Sequence, residues 1–322
     1  MTRYIARRLA FAAFLVIAVS SASLVLARLA PGDFVTESLG MQASGQSAEQ
    51  QRARYGLNKS IGEQYRDWLA AAVRLDFGVS MQYGRPVRDL IPERAANTAI
   101  LAVAALVFGT VVGLPLGIVT GSRRRGVLPA TIRAASVVLL SMPPLLTSLF
   151  LVFVAARTGW LPISGMRSVL VPPSGALIDL LRHLVVPAAA IGLPLAAMLE
   201  RLQSQAMSEV IDEPFVLATL ARGVPRSRVV WRGALKAALR PVAAIYGLVI
   251  GSLLSGSFVV EVITAWPGLG SLMLHALRTR DVYLVAGCAG AGALFLACGT
   301  LVSDLALALV DPRARETRAE AV

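Results

Sequence analysis

Six apolar stretches divide the chain, and the polar segments between them carry most of its charges. The first stretch runs for 19 residues without a charge and follows Arg3, Arg7 and Arg8. A helix needs about 20 apolar residues to cross the ~30 Å hydrocarbon core of a bilayer. The pattern therefore predicts an all-α polytopic membrane protein with six transmembrane helices, at residues 9–27, 98–122, 134–156, 184–199, 241–260 and 282–303. We expect the short fourth stretch to extend at both ends.

The N-terminal third contains two different kinds of segment. A signal peptide is the alternative for the first apolar stretch, but its apolar region would be only about 7–15 residues long. An uncleaved first transmembrane helix within residues 1–29 is therefore favoured. Residues 30–97 are polar and contain no stretch long enough to cross a bilayer. They predict a small extramembrane domain of short helices and turns, inserted after the first helix.

The positive charges predict the orientation. The chain is 56% hydrophobic and 16% charged, with mean hydropathy +0.67 and formal net charge +12. If the N-terminus lies inside, the inner segments carry 17 Arg and Lys residues and the two short outer loops carry 5. The long segment 30–97 is left out of this comparison, because long segments cross the membrane largely regardless of their charge. In this orientation both termini are cytoplasmic and segment 30–97 lies outside. Residues 98–310 form a five-helix core with a cytoplasmic loop at 209–241, and residues 311–322 form a cytoplasmic tail. Basic residues placed between apolar blocks favour contact with membrane lipid over nucleic acid.

The sequence offers no nucleotide-binding or catalytic motif. A P-loop requires G-x-x-x-x-G-K-[ST], and neither lysine, Lys59 or Lys236, lies in such a context. Any ATP-driven movement must therefore be powered by another subunit. The two histidines, His183 and His275, fall in predicted outer loops, so an intramembrane serine protease built on the serines of GSLLSGS lacks a base. Both cysteines lie within the last apolar stretch, where small apolar roles are expected. We expect no catalytic residue, no cofactor and no metal site.

Four residues within or at the edges of the apolar stretches are candidates for function. Glu261 and Asp304 lie near the ends of the fifth and sixth stretches, where anchoring of the helix ends is favoured over a proton relay. A secondary transporter or channel without ATPase partners, the alternative function, would more typically carry several mid-span carboxylates. Pro143 and Pro144 interrupt the third stretch and free backbone carbonyls. Either a helix that lines a translocation path or a plain packing kink explains them.

Residues 209–241 form a polar island with clear local signals. Asp212 and Glu213 precede Pro214, an arrangement that starts a helix. Gly223 then follows as a C′ glycine does, and Pro225 restarts a second helix that becomes membrane-embedded at residue 241. The sequence therefore predicts a short helix over 214–222, a glycine turn and a longer helix.

One face of this short helix carries Phe215, Ala218, Thr219 and Arg222, spaced i, i+3, i+4 and i+7. An exposed aromatic residue beside small residues favours docking into a groove of a partner protein. The alternative is an amphipathic helix on the inner leaflet, with neighbouring arginines meeting lipid phosphates.

With these segments identified, the chain resembles the inner-membrane permease subunits of binding-protein-dependent ABC importers, in the dipeptide/oligopeptide/nickel class. The resemblance covers essentially the whole chain. It rests on the order and spacing of several fragments: RYIARRL (3–9), RLAPGD (28–33), YGLNKSIGEQYRDWL (55–69), DFGVSMQYGRPVRDLIPERAANT (76–98), GLPLGI (113–118), GWLPISG (159–165), WPGLGSLM (266–273) and DLALALVDPR (304–313).

The polar island is similar to the EAA loop of that family, whose closing glycine falls on Gly223. The three letters of the motif fall on Leu217, Ala218 and Thr219, so the chain keeps the first alanine and departs from the family at the other two positions. The resemblance implies a coupling helix between the fourth and fifth transmembrane helices that contacts an ATPase. The residues expected to make this contact are Pro214, Phe215, Ala218, Thr219, Arg222 and Gly223.

The resemblance also implies the partners. Two cytoplasmic ABC ATPase subunits would drive the transport cycle, and a second homologous permease subunit would complete the pore, most often as a heterodimer. A periplasmic binding protein would deliver the substrate to the outer face, where residues 30–97 would form a periplasmic insertion. Peptides are the expected cargo, and nickel chelates and glutathione are alternatives.

Overall fold

The structure of the protein, a computed structural model, describes residues 2–39, 45–123, 125–168 and 172–310. In these residues the chain is almost entirely helical, and the single bridge between extended segments joins Val79 to Pro86. Arg124 and the proposed tail at 311–322 lie outside the described residues. The helices of the first third are α1 (Thr2–Leu29), α2 (Phe34–Leu39), α3 (Gly45–Arg54), α4 (Ile61–Ala72) and α5 (Val87–Ser122).

The remaining helices carry most of the apolar sequence. They are α6 (Val127–Ser141), α7 (Pro144–Thr158), α8 (Ala176–Val210), α9 (Pro214–Ala221), α10 (Arg226–Arg228), α11 (Leu235–Gly256), α12 (Phe258–Ile263), α13 (Leu269–Arg278) and α14 (Val282–Val310). A π-helical turn, Val229–Ala234, joins α10 to α11. A short 3₁₀ turn, Pro173–Gly175, precedes α8.

The prediction of an all-α polytopic protein is confirmed. Within the described residues, five helices are long and apolar enough to cross a membrane, and a sixth span is present if α6 and α7 are counted as one. The five are Ala6–Leu29, Val87–Ser122, Ala176–Val210, Arg226–Leu253 and Val282–Val302. The short fourth stretch extends at both ends, as expected, and becomes the 35-residue helix α8.

The third apolar stretch is broken rather than kinked. Helices α6 and α7 meet at an angle of 108°. Met142 and Pro143 each precede a proline and have extended ψ angles of 119° and 144°, since a following proline ring excludes the helical conformation. Two such residues in succession end α6, and Pro144 then starts α7 at its first helical position. A broken span or a re-entrant pair replaces the single straight crossing that apolarity alone predicts.

Other boundaries and placements also differ from the sequence-based expectations. Helix α5 begins at Val87, eleven residues before the apolar stretch, because hydropathy marks the apolar part of a helix and not its end. The fifth span begins at Arg226 instead of Pro241, which lies inside α11. Glu261 belongs to the separate helix α12, beyond the break at residue 257, and so does not end the fifth span.

The two histidines were predicted in loops, and both lie in helices. His183 lies in the first third of α8 and is buried, with Nδ1 2.8 Å from the carbonyl oxygen of Asp179. His275 lies in the short helix α13. The prediction that these residues occupy outer loops is therefore wrong at the level of local structure, because the extension of α8 and the short α13 lie outside the apolar stretches.

The chain divides into two compact units, and the first contains Met1–Ala99 and Ala265–Cys298. In this unit, side-chain hydrogen bonds join the segment between α1 and α5 to other parts of the same unit. Arg28 of α1 donates through Nε to the side-chain oxygen of Gln64 at 2.8 Å, and Gln64 donates to the hydroxyl of Tyr283 at 3.2 Å. The buried carboxylate of Asp281 accepts a hydrogen bond of 2.6 Å from Ser80. The described part of this segment contains α2, α3 and α4 and the turns that connect α3, α4 and α5.

The PGD turn after α1 is organised by Asp33. Its carboxylate accepts from the backbone N–H of Thr36 at 2.7 Å, as an N-cap does for α2, and pairs with the guanidinium of Arg52 at 2.7 Å. Burial raises the pKa of Asp33, but the hydrogen bonds from Arg52 and Thr36 outweigh burial and lower this pKa to about 2. The carboxylate is therefore ionised at any physiological pH, and it links α2 to α3.

The second unit contains Ile100–Thr264 and Gly299–Val322, and a row of glycines determines its packing. Gly109, Gly113, Gly117 and Gly121 recur every fourth residue on α5 and face α8. A Cβ atom added at the first three would lie 2.5–2.7 Å from atoms of α8, among them the backbone oxygens of Ala196 and Glu200. Sequence reasoning missed this row, although glycine at every fourth position of an apolar helix is a signal for close helix packing.

Candidate functional site

Helix α9 and the turn that follows it have the predicted local structure. Pro214 occupies the first helical position after Glu213, whose ψ of 143° is extended. The helix ends at Ala221, and Gly223 adopts a φ of +80°, in the left-handed region that favours glycine. Its N–H donates to the carbonyl oxygen of Leu220 at 2.9 Å. The helix over 214–222 and its glycine turn were thus predictable from local signals.

One narrow stripe of α9 holds the helix against the rest of its unit. Val216 is 0% exposed and belongs to a cluster with Met207 of α8 and with Val229 and Val230 of the π-helical turn. Leu220 packs against the same cluster and is partly buried. Burying a valine or leucine side chain stabilises by about 1.5–3 kcal/mol, so this stripe is sufficient to fix the orientation of a two-turn helix.

The opposite side of α9 is exposed in the chain by itself. Phe215 and Leu217 are 49% and 53% exposed, and Ala218 and Arg222 are also exposed. Thr219 is only half-exposed, and its hydroxyl donates to the carbonyl oxygen of Phe215 at 2.7 Å. The exposed side chains of Phe215 and Leu217 give this short helix a large apolar surface, which faces water unless a partner covers it.

Three of the four residues predicted to share a docking face are therefore exposed, while Thr219 has a local hydrogen-bonding role in addition. The exposed surface also extends further than the predicted face, because Leu217 and Ala221 lie on it. Leu217 stands where the motif of the resembling family has its acidic residue. The exposure of Leu217 could have been inferred from the apolar pair Val216 and Leu220. Their i, i+4 spacing marks the buried stripe of α9, and the other positions of the helix then lie on its exposed side.

Basic side chains border this helix. Arg222 donates to the hydroxyl of Thr219 at 3.3 Å and is otherwise exposed. Arg226 donates to the carbonyl oxygen of Ser122, at the end of α5, at 3.0 Å. This bond satisfies one of the last four carbonyls of α5, which have no partner within the helix. It also fixes the restart of the chain after the turn, so the entry and exit of α9 are both held within the second unit.

Pro143 and Pro144, the candidate pore-lining residues, are both exposed at the break between α6 and α7. The carbonyl oxygen of Pro143 accepts from the backbone N–H of Thr147 at 3.1 Å, so part of the freed backbone is already satisfied. The prolines lie at the junction of α6 and α7, whereas α9 packs against the π-helical turn Val229–Ala234. The candidate site therefore consists of two separate surfaces.

Groups that could perform chemistry are engaged in local roles. Among the described residues, no three His, Cys, Asp or Glu side chains come together as a metal ion would require. Ser257 donates its hydroxyl to the carboxylate of Glu261 at 2.8 Å, which is a helix-start interaction with the first turn of α12. This hydrogen bond orients the start of α12, and Ser257 acts in it as a hydrogen-bond donor.

Comparison with known proteins agrees with this architecture. Residues 113–316 match the family model described as binding-protein-dependent transport system inner membrane component, and residues 1–102 match the model of the corresponding N-terminal region. The oligopeptide transport system permease protein AppB of Bacillus subtilis is 31% identical over 97% of this chain and 99% of the relative. The dipeptide transport system permease protein DppB of Escherichia coli K12 is 29% identical over 99% and 100%, respectively.

One solved structure has a similar fold. A chain of the MetNI methionine ABC transporter, in an inward-facing conformation, aligns with a TM-score of 0.53 and 18% sequence identity. The alignment covers 69% of this chain and 96% of the other. At this identity the likeness concerns the fold alone.

Proposed function

Because the chain belongs to the family of binding-protein-dependent transport system inner membrane components, we propose that it forms half of the translocation path of an importer for di- or oligopeptides. It is a multi-pass permease subunit, and its family is a transporter family. The peptide cargo is supported by relatives that align with this chain over nearly their whole length. The names of these relatives specify oligopeptides, dipeptides or di- and tripeptides. None of these three matches favours a secondary transporter or a channel.

The observation that carries the proposal is the division of α9 into an anchored and an exposed side. Val216 fixes the helix to α8 and to the start of the fifth span, while Phe215, Leu217 and Ala218 remain outside. A helix held in this way moves with the spans to which it is packed. A partner that grips the exposed side can therefore move those spans, which is what coupling to an ATPase requires. The contact would involve Pro214, Phe215, Ala218, Thr219, Arg222 and Gly223.

The same proposal includes the other components of the importer. Two ATPase subunits would supply the motion, and a periplasmic binding protein would deliver the peptide. A second, homologous permease would complete the pore. Between 11% and 44% of the most apolar window of each of the five spans is buried within the chain, so wide apolar faces remain for lipid and for this second subunit. Both termini and α9 would lie in the cytoplasm, and residues 30–97 in the periplasm.

The break at Pro143 and Pro144 is the proposed contact with the pore. Irregular backbone at membrane depth occurs where it is covered by protein or borders a water-filled cavity, because lipid cannot satisfy its polar groups. Both prolines are exposed in the isolated chain. A place at the interface with the second permease, beside the path, meets this requirement.

Cysteine crosslinking tests the docking role of α9. We expect Phe215→Cys and Ala218→Cys each to form a disulfide with a cysteine introduced into the surface of the ATPase, when copper phenanthroline is added as the oxidant to membranes that contain the whole importer, because both side chains face outward. The native Cys288 and Cys298 are first replaced by alanine, since Cys298 is exposed. Crosslinked permease is measured by its shifted mobility on non-reducing gels and identified by mass spectrometry.

Val216→Cys is the matched control, one residue away on the buried stripe, and it should form no crosslink. If the two outward cysteines react only with lipid-soluble thiol reagents and never with the ATPase, α9 is an amphipathic surface helix and the docking role is refuted.

A further inference from the structure

A cavity of about 480 Å³ opens between α6 and α8, and none of its lining residues belongs to α9 or to the proline break. This volume is within the 300–1,000 Å³ typical of small-molecule sites. The residues that give it its character are Arg133 and Ser136 of α6, and Glu200, Arg201 and Ser204 of α8. Polar and charged side chains within membrane spans are costly and mark substrate paths more often than packing.

The carboxylate of Glu200 is the most unusual group in this cavity. Its residue is only 2% exposed, and it accepts a hydrogen bond of 2.5 Å from the hydroxyl of Thr120. No Lys, Arg or His nitrogen of the described residues lies within 4.0 Å of it, although a buried carboxylate normally requires a cation. The cavity is the side from which a positive group can reach this carboxylate.

The two arginines in the cavity require a negative partner, whereas Glu200 requires a positive one. Arg133 donates to the carbonyl oxygen of Thr120 at 2.7 Å, and Arg201 is exposed. In the part of the chain that the structure describes, neither guanidinium has a carboxylate within 4.0 Å. Arginine has five donors in a fork that matches a carboxylate, so both can accept a negative group as a ligand.

From these charges we infer that the cavity is a contact site for the cargo, which holds a short peptide by its two ends. Glu200 pairs with the terminal ammonium group, and Arg201, with Arg133, pairs with the terminal carboxylate. The hydroxyls of Ser136 and Ser204 are placed to bond the peptide backbone. This inference rests on the proposed function as a peptide permease, and it assigns the recognition of both peptide termini to one subunit.

The charge pattern favours a peptide over a lipid. A short zwitterionic peptide carries one ammonium group and one carboxylate, which match Glu200 and the two arginines that line the cavity. Phosphatidylethanolamine nevertheless carries the same pair of charges in its headgroup. It is therefore the competing ligand that the experiment must distinguish.

The experiment uses the assembled importer in vesicles and a photoreactive dipeptide, L-alanyl-p-benzoyl-L-phenylalanine. Uptake of alanyl-alanine by the unaltered importer is measured first. Photolabelling is then performed without nucleotide, and the labelled segment is identified by mass spectrometry. We expect label on residues 133–140 or 200–208, and we expect excess alanyl-alanine to prevent it.

Three variants test the assignment of each terminus. Arg201→Gln should reduce labelling roughly tenfold, the loss expected for one charge-assisted contact, and should abolish the preference for a free over an amidated C-terminus. Glu200→Gln keeps the shape and the acceptor for Thr120, and should abolish the preference for a free over an acetylated N-terminus. Arg182→Gln is the control, because it is an exposed arginine on the same helix about 28 Å away.

The outcomes separate the two proposals. Uptake without label on α6 or α8, or label unaffected by either cavity variant, overturns the cavity site and leaves the peptide permease intact. Protection by phosphatidylethanolamine but not by alanyl-alanine identifies the ligand as lipid and also overturns it. Absence of alanyl-alanine uptake by the complete importer contradicts the proposed function itself, and the inference with it.

Discussion

Replacement of Gly223 by valine is expected to abolish peptide uptake while the permease remains in the membrane at normal abundance. A Cβ atom at this position would meet no atom within 4 Å, so the variant is not excluded by space. The cost comes from the backbone, because φ is +80° and a residue with a Cβ atom loses roughly 1–2 kcal/mol in this region. That amount is too small to unfold the protein. The chain can relieve the strain by a change of φ, which would reorient the end of α9 and its exposed face.

Two variants serve as controls for this result. Gly223→Asn should retain most of the uptake, because asparagine tolerates the left-handed region. Gly159→Val introduces the same strain at the end of α7, where φ is +66° and the surroundings are also open, and uptake should persist. Uptake is measured with a labelled dipeptide in cells that depend on the importer, and abundance by immunoblotting of membranes. Normal uptake by Gly223→Val would refute the docking role of α9.

Replacement of Gly113 by valine is expected to prevent accumulation of the folded permease. A Cβ atom at Gly113 would lie 2.5 Å from the carbonyl oxygen and 3.0 Å from the Cα atom of Ala196. Both are backbone atoms of α8, so no side-chain rotation can make room and the two helices must separate. Overpacking of a side chain costs about 1–3 kcal/mol, and we expect a backbone clash with a branched residue to exceed that range. Gly113→Ala should lose part of this amount.

Gly292→Ala is the matched control, because Gly292 lies within the helix α14 and an added Cβ atom meets nothing within 4 Å. Alanine there should be neutral or slightly stabilising, since glycine is about 1 kcal/mol less favourable in a helix. The measurements are membrane abundance and the unfolding temperature of the detergent-purified complex. A Gly113→Val protein as stable as the unaltered one would show that α5 and α8 do not pack closely.

The two positions differ in how visible they are in the sequence. Gly223 is recognised from its neighbours along the chain, since a proline start, a helical run and a glycine describe a complete short helix. Gly113 belongs to a row whose meaning depends on α8, which lies about 80 residues further on. Its spacing signals close packing, but neither the partner helix nor the backbone atoms in contact can be identified from α5 alone.

The cavity shows the same limitation more strongly. In the sequence, Arg133 and Glu200 each lie one residue outside an apolar stretch, 134–156 and 184–199 respectively. Their joint lining of one cavity, with Thr120 bonded to both, requires three helices to come together. Charge counting along the sequence cannot show which of these residues face each other.

Local signals along the chain were enough to establish the helical class, the approximate spans and the bounds of α9. Hydropathy reports the cost of placing each residue in hydrocarbon, and proline and glycine act on the φ and ψ of their own and adjacent residues, so both signals are local. Three features became visible in the folded chain: the third span bends by 108°, Val216 anchors α9 while Phe215 faces outward, and glycines of α5 meet the backbone of α8. These features depend on contacts between residues distant in sequence, because only the packed neighbours determine which side of a helix is buried.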